Sequence, residues 1–238
     1  MKRLIVAFGF LTRVPMPRVA ADAADFAGAI RWYPVVGLCI GVVVGFAGWA
    51  GAQVDGWTGG LAALVAWVAI TGALHLDGLG DLADGLGAAH GDRGRLLAVM
   101  ADPHIGSFGV VAIGLQLTAK LVLLHAVSAG GWGAVILVPF AARVGPLCWA
   151  RWVPPLREGG LGAMVAGAVR LRDIVGWGAV LALAAVVEPG MLAAPLLSGG
   201  FGVWLVRRVG GVSGDGHGAG IELVETGLLL ALAIAGRS

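Results

Sequence analysis

The feature that most constrains this fold is a succession of long apolar stretches separated by short polar segments. Charged residues make up only 13% of the 238 residues, whereas an ordinary soluble domain carries about 25%. Apolar runs of about 20 residues are long enough to cross the hydrocarbon core of a bilayer as a helix. The sequence therefore predicts an all-α polytopic integral membrane protein, with about six to seven transmembrane helices in one bundle.

Seven segments fit such a span, and the shortness of two of them leaves the number of full crossings at six or seven. The fifth segment is joined to the sixth only by residues 188–190, so these two can form a re-entrant pair. We treat residues 1–238 as a single membrane-embedded domain. The predicted spans are 33–53, 59–76, 105–129, 132–150, 174–187, 191–206 and 221–235.

The Lys and Arg residues are distributed unevenly between the two sides of this bundle. Nearly all of the 16 lie on one side, and such an excess marks the cytoplasmic side. Arg237 falls on the other side, and Lys120 and Arg143 lie inside spans. The opposite connections are too short for an external receptor surface, and 16 basic against 14 acidic residues do not indicate nucleic-acid binding. The predicted cytoplasmic parts are an interfacial N-terminal segment, 1–32, and loops at 77–104, 151–173 and 207–220.

The first predicted span carries a stripe of glycines. Gly37, Gly41, Gly45 and Gly48 follow one another at spacings of four, four and three. Small residues at these spacings let helix backbones approach closely in lipid. We therefore expect this face to pack tightly against a neighbouring helix.

Three carboxylates near the second span form the first candidate site. Asp77, Asp81 and Asp84 are spaced four and three apart, so on a helix continuing from that span they share one face. Oxygen ligands of this kind suit Mg²⁺, which commonly shares its other positions with phosphates. The alternative is a solvated, capped loop, because Asp-Gly pairs are common in turns. The polar neighbours that favour a phosphate site are His75, Asp92, Arg93, Arg95, Asp102 and His104.

A second candidate site precedes and enters the last span, in the glycine-rich residues 210–225. Asp215, His217, Glu222 and Glu225 bring ligands or a base there. Carboxylates at the boundary of the lipid are functional candidates because they are expensive to place there. The alternative is that Glu222 and Glu225 only complement the dipole of a helix N-terminus.

Lys120 and Arg143 each lie near the middle of a predicted span. A cation at that depth needs an anionic partner or a polar cavity. We expect both side chains to face the bundle interior, where they either pair with the carboxylates of the two clusters or line a pocket for an anionic substrate.

Several stretches together resemble the cobalamin synthase family, also called adenosylcobinamide-GDP ribazoletransferase. The aspartate cluster combined with the late Gly-Asp and Glu pattern is specific to that family, and the resemblance runs from Phe10 to Glu225. Two departures are Ser213, where the family usually has Thr, and Glu158-Gly159, where it has paired acidic residues. The matching stretches are FLTRVPMP (10–17), WYPVVGLCIG (32–41), LHLDGLGDLADG (74–85), GDRGRLLAVMADPHIGSFG (91–109), TAK (118–120) and GGVSGDGHGAGIELVE (210–225).

The resemblance implies a Mg²⁺-dependent phosphotransferase in the bacterial inner membrane, with its active site facing the cytoplasm. The cobinamide phosphate of adenosylcobinamide-GDP would pass to α-ribazole or its 5′-phosphate, releasing GMP. Other enzymes of the corrinoid pathway are candidate partners. Asp77, Asp81 and Asp84 would hold the metal, and Asp81, Asp102 and Asp215 would be catalytic. The predicted substrate-binding residues are Arg13, His75, Asp92, Arg93, Arg95, His104, Lys120, Arg143, Glu222 and Glu225.

Two other functions stay open at this point. A CDP-alcohol phosphotransferase also uses an Asp-rich helix and releases a nucleotide monophosphate, but its motif has an Ala-Arg pair where this chain has Leu79-Gly80. An ion-coupled transporter would use Glu222, Glu225, Lys120 and Arg143 as a relay. Such transporters often contain internal repeats, and we find none between the two halves.

Overall fold

The computed structural model describes residues 1–236, so Arg237, the one basic residue predicted on the opposite side, lies outside the described residues. Within that range all regular secondary structure is helical, which confirms the all-α prediction. Short 3₁₀ segments stand at Ile30–Trp32 and Pro189–Leu192. The α-helices are α1 (Lys2–Leu11), α2 (Ala23–Ala29), α3 (Tyr33–Gly51), α4 (Gly56–Thr71), α5 (Leu74–Ala89), α6 (Arg93–Val99), α7 (Ser107–Ser128), α8 (Gly133–Ala142), α9 (Gly145–Trp152), α10 (Leu161–Val165), α11 (Leu171–Val187), α12 (Ala193–Arg208) and α13 (Gly214–Ala235).

The helices agree with a multi-pass membrane protein. Large apolar side chains point outward on several of them: Phe46, Leu115 and Leu183 are 66%, 67% and 68% exposed. Helix α11, the fifth predicted span, has 17 residues and is not among the segments long enough to cross a membrane. The bent pair of α4 and α5 is a sixth candidate for a membrane span. Five single segments in the described residues are long and apolar enough to cross a membrane: Ala23–Gly51, Ser107–Ser128, Gly133–Trp152, Pro189–Arg208 and Gly214–Ala235.

The helix that carries the aspartate cluster does not continue the second span. Helices α4 and α5 meet at an angle of 85°. The break falls at Gly72 and Ala73, whose φ angles of 60° and 59° are both left-handed, and a left-handed residue after the last turn ends a helix. The aspartates are helical, as their spacing predicts, but the prediction of one straight helix is wrong. Most of 77–104 is therefore α5 and α6 rather than loop, and 214–220 belongs to α13.

The glycine stripe of α3 packs against α8, as predicted. A Cβ atom added at Gly37 or Gly41 would overlap the backbone carbonyls of Pro139 or Ile136, and one at Gly48 would overlap the ring of Trp132. Because backbone carbonyls cannot rotate away, these positions require glycine at the observed helix separation.

We expect Gly41→Ala to lower the free energy of unfolding by roughly 1–3 kcal/mol, the usual cost of overpacking. Thermal unfolding followed by circular dichroism in detergent measures it. Gly114→Ala in α7 is the matched control, because nothing lies within 4 Å of the Cβ position there and alanine favours a helix over glycine. Equal melting temperatures for the two variants would contradict the packing described for α3 and α8.

A break between α8 and α9 places Arg143 inside the bundle. Pro139 lies within α8, and proline removes one helical hydrogen-bond donor. The carbonyl of Pro139 accepts a hydrogen bond from the guanidinium Nη1 of Arg143 at 3.0 Å. Arg143 is fully buried, so its charge must be matched by neighbours in the interior.

Candidate active site

The two candidate clusters meet where α5 packs against α13. A Cβ atom added at Gly78 would lie 2.9 Å from the Cα atom of Asp215, and one at Gly218 would lie 3.3 Å from the Cα atom of His75. Glycine at both positions therefore lets the two backbones touch. This contact brings the first turn of α5 beside the first turns of α13.

A cavity of about 230 Å³ opens beside this contact. Its walls come from the N-terminal helix, the start of α3, the first turn of α5, α10 and the first turns of α13. The lining residues are Phe10, Leu11, Ile30, Tyr33, Leu74, His75, Asp77, Gly78, Arg157, Leu161, Val165, Gly214, Asp215, His217, Gly218 and Ile221.

The charged and the neutral residues of this cavity are separated. Asp77 and Arg157 are exposed and Asp215 is half-buried, and these three form what we call the rim. Tyr33, His75 and His217 are 5%, 3% and 5% exposed; with the buried apolar residues around them they form the floor. The cavity thus joins a charged entrance to a neutral, largely apolar interior.

The rim combines carboxylates with a single arginine. Asp215 is close enough to Arg157 for attraction and to Asp77 for repulsion. Asp81, one turn further along α5, interacts unfavourably with Asp77, Asp84 and Asp215. The repulsion between these neighbouring carboxylates is reduced when a cation or another positively charged group binds beside them.

Arg157 reaches the rim because its loop pairs with the segment before α13. The backbone N–H of Leu156 donates to the carbonyl of Val212 at 2.9 Å, and the N–H of Val212 donates to the carbonyl of Pro154 at 2.9 Å. The guanidinium Nη2 of Arg93 donates to the carbonyl of Leu156 at 3.0 Å. Arg93, predicted to bind substrate, therefore braces the loop that carries Arg157.

His75 is held in one tautomer by Arg143. The guanidinium Nη2 of Arg143 lies 3.4 Å from Nδ1 of His75. Because a guanidinium only donates hydrogen bonds, Nδ1 must be the acceptor and the ring proton must sit on Nε2. That Nε2, and both ring nitrogens of His217, are buried and have no partner within residues 1–236.

Lys120 and Arg143 pair with the glutamates of α13, one of the two predicted arrangements. The ammonium of Lys120 lies 2.7 Å from Glu222 and 2.6 Å from Glu225, and Arg143 lies 2.8 Å from Glu225. Two cations and two anions make this buried network neutral. The amide of Gln116 donates to the Glu222 carboxylate at 2.9 Å, and the Lys120 ammonium lies 4.4 Å above the ring of Trp67.

This network stands behind the cavity rather than in it. None of Lys120, Arg143, Glu222 and Glu225 belongs to the cavity lining in the described part of the chain. Their link to it is indirect, through the contact of Arg143 with His75. The alternative, a pocket for an anionic substrate at these four residues, stays a prediction.

Asp84 has a structural role that the sequence did not reveal. Its carboxylate accepts hydrogen bonds from the backbone N–H groups of Gly106 at 2.7 Å and Gly109 at 2.9 Å. It therefore caps the N-terminus of α7, where a negative charge is favoured. Both carboxylate oxygens of Asp84 already accept hydrogen bonds. The predicted metal site therefore keeps Asp77 and Asp81 as its candidate ligands.

Asp92 and Asp102 also serve local turns. Asp92 caps α6 by accepting from the N–H groups of Gly94 at 2.7 Å and Arg95 at 3.2 Å. Asp102 accepts from the N–H of His104 at 2.9 Å and contacts Nδ1 of the same histidine at 2.7 Å. The backbone hydrogen bond from His104, followed by its side-chain bond, lowers the pKa of Asp102.

The remaining predicted residues lie apart from the cavity. The backbone N–H of Arg13 donates to the carbonyl of Ile70 at 2.7 Å, and its side chain lies against Gly72 at the bend between α4 and α5. The side chain of Arg95 is exposed on α6. Together with Asp92, Asp102 and His104, these residues are absent from the cavity lining among residues 1–236.

The carboxylates of Asp77 and Asp81 are the ones free to bind a metal. In the described residues neither has a hydrogen bond or an ion pair. No group of three or more His, Cys, Asp or Glu side chains within residues 1–236 is arranged to hold a metal ion. One or two carboxylates with substrate phosphates are the usual protein contribution to a Mg²⁺ site, so Asp77 and Asp81 fit that ion.

Arg157 and Tyr33 are polar cavity residues that the sequence did not place in a candidate site, whereas His217 was named with the second candidate site but was not among the predicted catalytic or substrate-binding residues. Arg157 lies in a loop where the family pattern weakens, and Tyr33 reads only as the start of a span. His217 stood in the second motif, but its spacing to other ligands matched no metal site. The sequence offered one indication for His217. It lies between two glycines at the start of a helix, so its neighbours in the sequence have no side chain that could hydrogen-bond its ring nitrogens.

Comparison with known proteins shows which family this chain resembles. The family model described as cobalamin-5-phosphate synthase matches residues 3–233. The adenosylcobinamide-GDP ribazoletransferase of Novosphingobium aromaticivorans is 59% identical, over 99% of this chain and 98% of its own. The proteins of that name from Laribacter hongkongensis and Thiobacillus denitrificans are 52% and 46% identical, over 100% and 97% of this chain and 98% and 94% of theirs. No solved structure matches this chain.

Proposed function

This chain belongs to the cobalamin-5-phosphate synthase family, and on that premise we propose that the cavity between α5 and α13 is the active site of an adenosylcobinamide-GDP ribazoletransferase. The cobinamide phosphate passes to a hydroxyl of α-ribazole, or to a hydroxyl of α-ribazole 5′-phosphate. A new P–O bond forms at the cobinamide-linked phosphorus, the P–O bond to the guanylyl group breaks, and GMP departs. The acceptor hydroxyl loses its proton.

The observation that carries this proposal is the convergence of the two motifs on one cavity. Asp77 comes from the first motif and Asp215 from the second, and Arg157 stands beside them. Phosphoryl transfer is catalysed mainly by positioning and by stabilising the charge on the phosphoryl oxygens. A rim that joins carboxylates to an arginine suits a diphosphate.

The residues in and beside the cavity then have distinct tasks. Arg157 neutralises the phosphate oxygens of the diphosphate. Asp215 accepts a hydrogen bond from the attacking hydroxyl and takes its proton at a carboxylate oxygen. His75 in the floor has an Nε2 without a partner in the described residues, and this N–H is assigned to the acceptor. Asp77 and Asp81 would hold Mg²⁺, which supplies positive charge to the diphosphate when bound.

The orientation that fits this function has the rim facing the cytoplasm of a bacterial cell, with the protein in the inner membrane. The support is the concentration of Lys and Arg on the side of the bundle where α5, the 154–157 loop and the start of α13 meet. Both substrates are then reached from the compartment in which nucleotides are made.

The test is turnover by protein purified in detergent, given adenosylcobinamide-GDP and α-ribazole with and without Mg²⁺. We expect GMP and the corrinoid product to form in equal amounts, and EDTA to stop both. A parallel reaction with a CDP-activated lipid and an alcohol acceptor examines the closest alternative enzyme. The proposal fails if monodisperse protein forms no corrinoid product, or if it releases CMP from the lipid substrate instead.

A further inference from the structure

We propose that the floor of this cavity binds the smaller substrate, the nucleoside α-ribazole, with its benzimidazole base inside, while the corrinoid stays outside the rim. This inference rests on the proposed function and goes beyond it, because it assigns the two substrates to two places. Three independent features support it: the size of the cavity, the apolar character of its walls and the hydrogen-bonding groups left free in its floor.

The first feature is volume. The cavity measures about 230 Å³, below the roughly 300–1,000 Å³ of pockets that enclose drug-sized ligands. A corrin ring with its side chains and its nucleotide is far larger than this space, whereas a bicyclic base with part of a ribose is of the right order. The acceptor therefore fits this space, whereas the corrin ring does not.

The second feature is the composition of the walls. Ile30 and Val165 are both 1% exposed, and they line the cavity from the 3₁₀ segment before α3 and from α10. The ring of Phe10 stacks on that of Tyr33 with centroids 6.3 Å apart. Apolar and aromatic walls bind a planar, uncharged ring system well. They would reject the charged diphosphate, which stays with Asp77, Arg157 and Asp215 at the rim.

The third feature is the pair of unsatisfied imidazoles. His75 offers an N–H on Nε2, and His217 offers two ring nitrogens without partners in the described residues. A neutral imidazole has one donor and one acceptor, and a buried polar group left unpaired costs free energy. The ribose hydroxyls of a nucleoside both donate and accept, so the bound acceptor satisfies these groups.

The geometry then orders the two substrates along one line. The base lies deepest, the ribose lies at the level of His75 and His217, and the reacting hydroxyl emerges between Asp77 and Asp215. Arg157 meets the diphosphate from outside. The floor therefore selects the acceptor, and the rim carries out the transfer.

The experiment narrows the cavity without touching the rim. Leu161 lines the cavity and is half-buried, so Leu161→Trp fills space near its opening. Leu196→Trp is the matched control, because Leu196 is 79% exposed on the outer face of α12. A second variant, His217→Phe, keeps the volume of the floor and removes its hydrogen bonds. Binding of α-ribazole alone is measured by titration calorimetry, and KM is determined for each substrate.

We expect Leu161→Trp and His217→Phe each to weaken α-ribazole binding by about tenfold or more, in the range that pocket contacts discriminate. The KM for adenosylcobinamide-GDP and the properties of Leu196→Trp should stay near wild-type values. Unchanged α-ribazole binding in both cavity variants, or a rise confined to the KM of adenosylcobinamide-GDP, would overturn the inference. Wild-type protein that binds α-ribazole in this cavity but never forms product would instead overturn the proposed function alone.

Discussion

Asp77→Asn is expected to lower kcat/KM by about 10²–10³-fold, the scale of losing one charge-stabilising group at a reacting centre. Asp77 is exposed at the rim, and its carboxylate has no hydrogen bond or ion pair in the described residues. Its substitution therefore removes a charge without disturbing packing. Asparagine keeps the size of the side chain and loses the ionic attraction for Mg²⁺, so the Mg²⁺ concentration needed for half-maximal rate should also rise.

The control for this variant is Asp55→Asn at the start of α4. The Asp55 carboxylate accepts from the N–H of Thr58 at 2.7 Å as a helix cap, and asparagine caps a helix equally well. Rates and Mg²⁺ dependence are measured for both variants in the GMP-release assay. Near-wild-type turnover in Asp77→Asn would remove this carboxylate from the active site.

Lys120→Met is expected to lower the free energy of unfolding by about 3–5 kcal/mol, the cost of leaving buried charge unpaired. The substitution leaves Glu222 and Glu225 with only Arg143 between them. All four side chains of this network are at most 4% exposed, so water does not replace the lost cation. Thermal unfolding and the fraction of monodisperse protein in detergent report the loss.

A double variant separates charge balance from a specific need for lysine. Lys120→Met with Glu222→Gln removes one cation and one anion and keeps the 2.8 Å pair of Arg143 and Glu225. We expect it to recover part of the stability, with a coupling energy of roughly 0.5–3 kcal/mol for groups in contact. Arg207→Met on the exposed end of α12 is the surface control. Wild-type stability together with lost turnover in Lys120→Met would favour the substrate-pocket alternative.

The parts of this protein that the sequence predicted are those set by local periodicity and by the solvent. Long apolar runs predicted the helices, because a bilayer requires them. The spacing of Gly37 and Gly41 predicted a close helix contact, and the spacing of Asp77 and Asp81 predicted a shared helix. Each of these properties depends on a few neighbouring residues, so it can be predicted without knowing the fold.

The parts that were missed depend on contacts between distant segments. Asp84 caps α7 across 22 residues, and no spacing rule predicts that its oxygens are used there. Arg157 enters the site only because residues 154–156 pair with Val212. The interior location of Lys120 and Arg143 was predicted. Their pairing with glutamates of α13 rather than with the aspartates could not be, because it depends on how deeply α13 lies in the bundle.

The neutral network also has a consequence for the order in which the chain is made. Its cations belong to α7 and to the junction of α8 and α9, whereas both anions belong to α13, the last helix of the described chain. During synthesis the two cations are therefore made before Glu222 and Glu225, their partners in the folded protein. Insertion of α13 neutralises them and docks the rim-bearing turn of that helix against α5. Completion of the charge network and completion of the active site are thus one event, which follows the insertion of α13.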